Sequence, residues 1–227
     1  MSNIARMMQR ATAGAGGASL DVDEVFSTYL VTGTGSAYSV NNGIDLSGEG
    51  GLVWIKGRSS NGYNHTLYDT ERSGTLFSDA TNAASDYASE IASYNNNGFT
   101  TVSSGAAYNN VSGTDYVSWT FRKAPKFFDV VTYTGNGSSP RTINHNLNAT
   151  VGMLVVKCTS NTQYWHVLHR SQNASKVLYL NTSDAEYNDV NAWGSTHATS
   201  TQFTVGSALN ISGREYVVYL FAHNDGD

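Results

Sequence analysis

Blocks of this chain recur in the same order about one hundred positions apart. Gly51-Leu52-Val53-Trp54-Ile55-Lys56 returns as Gly152-Met153-Leu154-Val155-Val156-Lys157. Thr32-Gly33-Thr34-Gly35 returns as Thr134-Gly135-Asn136-Gly137, Asp45-Leu46 as Asn146-Leu147, and His65-Thr66-Leu67 as His166-Val167-Leu168. The longest match joins Ser112-Gly113-Thr114-Asp115-Tyr116-Val117-Ser118-Trp119-Thr120-Phe121 to Ser212-Gly213-Arg214-Glu215-Tyr216-Val217-Val218-Tyr219-Leu220-Phe221. Solenoid units repeat every 20–50 residues or so, so a period this long is a duplicated domain. The first copy runs from 20 to 124 and the second from 125 to 227, after a separate segment of residues 1–19. Pro125, one of two prolines, marks the joint. With almost no linker, the two copies are expected to be held close together.

Each copy reads as short strands between turns. Leu52–Lys56, Val130–Tyr133, Met153–Lys157 and Val177–Leu180 are β-rich runs bounded by Gly, Asn and Ser, and Phe99 and Phe203 each open a late strand. In the last strand of the first copy, Val117, Trp119 and Phe121 share one face, the expected core face, and Tyr116, Ser118 and Thr120 share the other. In the second copy Val217, Tyr219 and Phe221 take the core face. There the opposite face, Tyr216, Val218, Leu220 and Ala222, is apolar too, so it needs a cover: another strand layer, the sister domain or another subunit. Composition agrees with an all-β chain of two similar tandem β-sandwiches. Only 14% of residues are charged, Gly numbers 22 and Tyr 14, and Ser, Thr and Asn are plentiful. Thirteen Lys and Arg against 18 Asp and Glu give a net charge of -5, which argues against binding nucleic acid through a basic surface. A single cysteine, Cys158, excludes an intrachain disulfide. No signal peptide or membrane span is read in the chain, which predicts no membrane insertion.

The first 19 residues differ from the rest. Ile4, Met7, Met8 and Ala11 repeat at the spacing of one helical face, and Gly14, Gly16 and Gly17 end the pattern. A helix this short is marginal alone, so its stripe is expected to lie on a partner and anchor the protein there.

Catalytic patterns are lacking. There is no Gly-x-Ser-x-Gly elbow and no phosphate loop. Gly33/Gly35 and Gly135/Gly137 are read as turn geometry requiring positive φ. His166 and His169, three apart on a strand, point to opposite faces and cannot share one zinc. His65, taken as the match of His166, is read as a structural ring. Asp21, Asp23 and Glu24, and Asp225 and Asp227 at the other end, follow no calcium-loop spacing. Asp69 and Glu71 are the only close acidic pair in a repeated block, and the second copy has no such pair. The reading is therefore no enzyme, no metal and no cofactor. Among the aromatics that could stack on sugar, Tyr63 and Trp193 sit in Asn/Gly-rich loops and are the candidates for exposure and glycan contact.

Several blocks carry a family resemblance: 51–59, Tyr68-Asp69-Thr70-Glu71-Arg72, Asn97-Gly98-Phe99, Tyr116–Arg122, Phe128–Gly137, Ile143–Leu147 and His169-Arg170-Ser171. They resemble a domain of unknown function found, often in tandem, in tail-fibre and other virion proteins of marine tailed phages, including cyanophages. The resemblance covers residues 20 to 227. It implies concanavalin- or laminin-G-like sandwiches of jelly-roll kind, and a phage virion structural protein: a short tail fibre, a fibre adaptor or a capsid decoration protein. It also implies other virion proteins as partners, and a homo-oligomer such as a trimer, made in the host cytoplasm and ending in the virion. The alternative is a carbohydrate-binding module contacting host surface glycan, which predicts exposed aromatics and carboxylates along one sandwich edge.

Overall fold

The computed structural model describes residues 20–59, 62–85, 90–103 and 109–223. The helix expected over the stripe Ile4, Met7, Met8 and Ala11 lies outside them. The first described element is a single helical turn, α1 (Val22–Val25), capped by the side chain of Asp21, which accepts from the Asp23 amide. The carboxylate of Asp21 is thereby explained as a cap.

Sixteen strands follow. The first half contains β1 (Phe26–Thr32), β2 (Ser39–Asn41), β3 (Gly51–Gly57), β4 (Thr66–Asp69), β5 (Leu76–Phe77), β6 (Ile91–Asn95), β7 (Gly98–Thr101) and β8 (Asp115–Arg122). The second contains β9 (Phe128–Thr134), β10 (Arg141–Asn144), β11 (Val151–Cys158), β12 (His166–His169), β13 (Lys176–Tyr179), β14 (Tyr187–Asn188), a helical turn α2 (Val190–Trp193), β15 (Gln202–Val205) and β16 (Glu215–Ala222). The main sheet of the first half is ordered β1-β8-β3-β4-β5 and that of the second β9-β16-β11-β12-β13-β14. The duplication read from sequence is therefore a duplication of strand order, with β14 added. A smaller sheet, β2-β7-β6, accompanies the first half, and β10-β15 the second. Where the first half places β6, the second places α2. The halves meet at a tight turn in which Ala124 and Phe128 exchange backbone hydrogen bonds around Pro125.

The same buried clamp closes both halves. Asn110 and Asn210 are almost fully buried. The side-chain carbonyl of Asn110 accepts from Thr34 N at 2.9 Å and its amide donates to Ser36 O at 2.8 Å. Asn210 accepts from Asn136 N at 3.1 Å and donates to Ser138 O. The Tyr116 and Tyr216 hydroxyls accept from Val111 N and Ile211 N. The paired glycines have two separate reasons. Gly35 and Gly137 adopt positive φ, as expected. Gly33 and Gly135 do not; a Cβ there would fall 2.2 Å from the Val111 carbonyl oxygen and 2.1 Å from that of Ile211.

Three cores order the layers. Val53, Ile55, Tyr68 and Tyr116 meet Val40 and Phe99 of the small sheet in the first half. Leu154, Val156, Leu168, Tyr216, Val218 and Leu220 meet Ile143, Trp193, Phe203 and Val205 in the second. The third core lies between the halves, where Leu52, Leu67 and Leu76 pack against Phe128, Val130, Val155, Trp165, Val217 and Tyr219. The main sheet of the second half thus buries both faces, and that of the first half buries one face against its small sheet and part of the other against the sister half. In β8 this departs from the expected faces: Tyr116, Ser118 and Thr120 look into their own half, and Phe121 looks toward the sister half. In β16 the face of Val217, Tyr219 and Phe221 is the expected core face, packed against the sister half. Ser118 and Thr120 are buried despite their hydroxyls, and Asn42 Nδ2 donates to Thr120 Oγ1 at 2.8 Å. The cover demanded by the doubly apolar β16 is the sister half on one face and the small sheet on the other.

Candidate functional site

The strand registers correct one pairing read from sequence. Ile55 faces Thr66, and its counterpart Val156 faces His166. The β3–β4 connection is one residue longer than β11–β12, so Thr66 is the match of His166 and His65 the match of Trp165. The backbone agrees: Ser78 N donates to His65 O, and Leu180 N to Trp165 O. His65 accepts at Nδ1 from Trp54 Nε1 at 3.1 Å. Trp165 instead donates its indole N–H across the boundary to Phe77 O at 2.8 Å and Ala80 O at 3.1 Å.

The glycan candidates fare differently. Trp193 is fully buried, its indole donating to Lys176 O at 3.0 Å. The Asn/Gly-rich segment around it folds into α2, whose Ala192 and Trp193 plug the second core, so Trp193 presents no surface to a ligand. Tyr63 is half-buried against Tyr116, with ring centroids 6.3 Å apart, and its carbonyl accepts from Lys56 Nζ. Asp69 and Glu71 do not form an acid–base pair. Glu71 bonds Lys123 at 2.6 Å, whereas Asp69 is buried with Arg72 Nε at 2.9 Å and the Tyr219 hydroxyl at 2.8 Å. Burial pushes the Asp69 carboxyl up, against the opposing pull of Arg72 and the Tyr219 hydrogen bond.

The inter-half boundary is fastened by polar groups of this kind. Lys157 is fully buried, and its ammonium donates to Thr81 O at 3.1 Å, Cys158 O at 2.9 Å and Gln163 O at 2.9 Å. All three donors are satisfied, and burial lowers its pKa to about 8. Two backbone bonds, Ala84 N to Thr159 O at 2.8 Å and Gln163 N to Thr81 O at 2.9 Å, complete the join.

The exposed aromatic surface lies elsewhere. Tyr164 precedes β12, Tyr179 ends β13 and Tyr187 opens β14. Tyr164 and Tyr179 stack at 4.5 Å, and Tyr179 meets Tyr187 edge-on at 5.5 Å with the two hydroxyls in contact. Tyr164 is 45% and Tyr187 40% exposed. His166 lies edge-on to Tyr179 at 5.0 Å. Its Nδ1 lies 3.0 Å from Tyr164 O; because a carbonyl only accepts, that nitrogen carries the proton. Burial lowers the His166 pKa to about 4, so the ring is neutral near pH 7. Gln172 and Lys176 both donate to Glu186, the residue before Tyr187. These three tyrosines are residues that sequence reading passed over. A signal was present: at the positions of Tyr164 and Tyr179 the first half has Asn64 and Phe77, and at that of Tyr187 it has Ser85, bridged to Thr75 as Tyr187 is paired with Val177.

Among the described residues no three His, Cys, Asp or Glu side chains are grouped to hold a metal ion, and no helix is long and apolar enough to cross a membrane. No curated protein and no solved structure matches the chain. A family match spans residues 21–226, both halves and the joint together, in keeping with the core they share, and on that match the chain belongs to DUF7483, a domain of unknown function.

Proposed function

We propose that this protein is a structural component of a tailed-phage virion, without catalytic activity: a short tail fibre, fibre adaptor or capsid decoration protein. Residues 1–19, carrying Ile4, Met7, Met8 and Ala11, join it to other virion proteins, and the β body is displayed. The observation behind this reading is the shared core of Leu52, Leu67, Phe128, Trp165, Val217 and Tyr219. It fixes the two halves as one stiff body, suited to bearing load and holding a surface at a set angle. Each half is read as a jelly-roll, concanavalin-like sandwich on the pairing of β1-β8-β3 opposite β2-β7. The test is labelling of intact particles with antibody against this chain, alongside particles made with residues 1–17 deleted. Label on normal particles, lost with the deletion, is expected. A chain that stays in the lysate supernatant overturns the reading.

A second reading, contact with a host glycan, is favoured by Tyr164, Tyr179 and Tyr187. Aromatic faces stack on the apolar side of a pyranose. A glycan array with the purified chain tests it, and absence of any binding sugar sinks it.

A further inference from the structure

The polar contacts between the two halves are one-way, while the matching rings Phe121 and Phe221 meet each other at 5.7 Å beside the joint. Trp165 bonds Phe77 and Ala80, but its match His65 does not reach Tyr179 and its neighbours; His65 is engaged by Trp54. Lys157 reaches Thr81, while its match Lys56 bonds within its own half. Phe121 packs on Phe128 at 5.4 Å, with no mirrored pair of Phe221 and Phe26 among the described contacts. A two-fold join would reciprocate each contact; this one is head-to-tail. The first half presents an edge, β4–β5 and the segment to Ala84. The second presents a face, β9-β16-β11 with the connection from Lys157 to Trp165.

Each half owns both surfaces, so one of each is left over. On the second half the face is covered: Val130, Val217, Tyr219, Trp165 and Lys157 are all at most 3% exposed. The matching face of the first half is open beyond Trp54, which borders the shared core. Leu30 is 59% exposed, Thr28 is exposed, and Trp54, Trp119, Lys56 and His65 are half-buried. The matching edge of the second half is open beyond Leu178, which borders the shared core, with Leu180 41% exposed and Ser183 exposed. Leu30 pairs with Val117, and Thr28 with Trp119, on the side of the sheet that carries Phe121 into the inter-half core. The open face is therefore continuous with an interface the chain already makes.

We propose that the face formed by Leu30, Trp54 and Trp119 receives the β12–β13 edge of a second copy of this chain, including Leu178, Leu180 and Ser183, by repeating the join between its own halves. A head-to-tail contact of this type closes into a ring or runs on as a filament, according to its rotation. The inference holds whether or not the protein belongs to a virion.

Cysteine cross-linking distinguishes the geometries. The backbone contact of Gln163 with Thr81 maps onto Tyr63 of one copy and Ser183 of the next. Gly62 has open space where a side chain would go, and native Cys158 is buried. Purified Gly62→Cys and Ser183→Cys chains are oxidised separately and mixed. A covalent dimer in the mixture alone is expected, and Leu30→Arg in the Gly62→Cys chain should reduce it at least tenfold while leaving the thermal midpoint unchanged. Dimers of Gly62→Cys with itself, or no dimer in the mixture, overturn the proposal. So does a mixture that cross-links only after residues 1–17 are deleted, because the chain's own N-terminal segment would then hold the face.

Discussion

The Tyr219 hydroxyl donates to Asp69 Oδ2 at 2.8 Å, tying the last strand of the second half to the fourth strand of the first. Both groups are buried. Asp69 also serves Arg72 through the same oxygen and accepts from Glu71 N at Oδ1. Tyr219→Phe keeps the ring in the shared core and removes only the donor. A buried acceptor losing a partner costs about 1–3 kcal/mol, and urea titration should show that loss. Because the core spans both halves, unfolding should remain one transition with and without the substitution. Two resolved transitions in calorimetry would mean that the halves fold independently.

Lys157 and Lys56 occupy matching positions in different surroundings. Lys157 is sealed beneath the first half, and removing it takes a donor from the carbonyls of Thr81, Cys158 and Gln163, of which Thr81 keeps the Gln163 amide. Lys157→Met is expected to destabilise by several kcal/mol, on the order of 1–3 for each carbonyl left unpaired. Lys56→Met, at a half-exposed site, should cost under about 1 kcal/mol. Equal losses in paired denaturation curves would contradict the one-way join.

Gly135 and Gly213 are both glycines for backbone reasons, but not the same one. Gly213 has φ of 77° with open space around it, so Gly213→Ala meets only the left-handed penalty of about 1–2 kcal/mol. At Gly135 a methyl would overlap the Ile211 carbonyl oxygen, and β9 and the β15–β16 connection would have to part. Gly135→Ala should be the costlier change, above about 3 kcal/mol. Thermal melts of the two variants side by side decide the order.

How far the sequence could be read follows from these sites. The duplication and its joint were legible because Gly33/Gly135 and Tyr116/Tyr216 serve an identical clamp in each half. The faces of β8 were misassigned because Ser118 and Thr120 look like solvent-side residues, and nothing local says that a small sheet covers them. The histidine match failed because block similarity tolerates a one-residue gap that strand register does not. Trp193 was misplaced because loop composition around it conceals a helical plug. Tyr164, Tyr179 and Tyr187 come from three separate segments, and only the pairing of β12, β13 and β14 brings them together.

His166 gives the tyrosine cluster a pH dependence of known sign. Its pKa falls from 6.5 to about 4 on folding, chiefly through burial. Between those values the unfolded chain binds a proton that the folded chain refuses. Stability is therefore full above pH 6.5, declines as pH falls toward 4, and levels off below. The total is about 3 kcal/mol at 1.36 per pKa unit. The first half carries Thr66 at this place, donating to Ile55 O at 3.3 Å. His166→Thr should therefore fold and show a correspondingly flatter profile between pH 6.5 and 4. His65 and His145, both also lowered by burial, will leave a residual slope in both proteins. An unchanged slope would place the burden on those two rings.

Tyr164 and Tyr187 offer the sharpest separation of binding from folding. Both are largely exposed, and neither belongs to a buried core cluster, whereas Tyr179 packs against the second core. Replacing either by alanine should move the thermal midpoint little, since surface changes usually stay within about 0.5 kcal/mol. If the cluster receives a sugar ring, each loss removes one stacking face. Stacking of this type contributes about 0.5–1.5 kcal/mol beyond burial, so affinity for a sugar identified on an array should drop roughly threefold to tenfold per substitution. Tyr63→Ala supplies the contrast, because Tyr63 lies in the first half, against Tyr116, and should leave sugar affinity unchanged. An affinity that survives Tyr164→Ala with Tyr187→Ala but falls with Tyr63→Ala would move the binding surface from the β12–β14 edge to the first half.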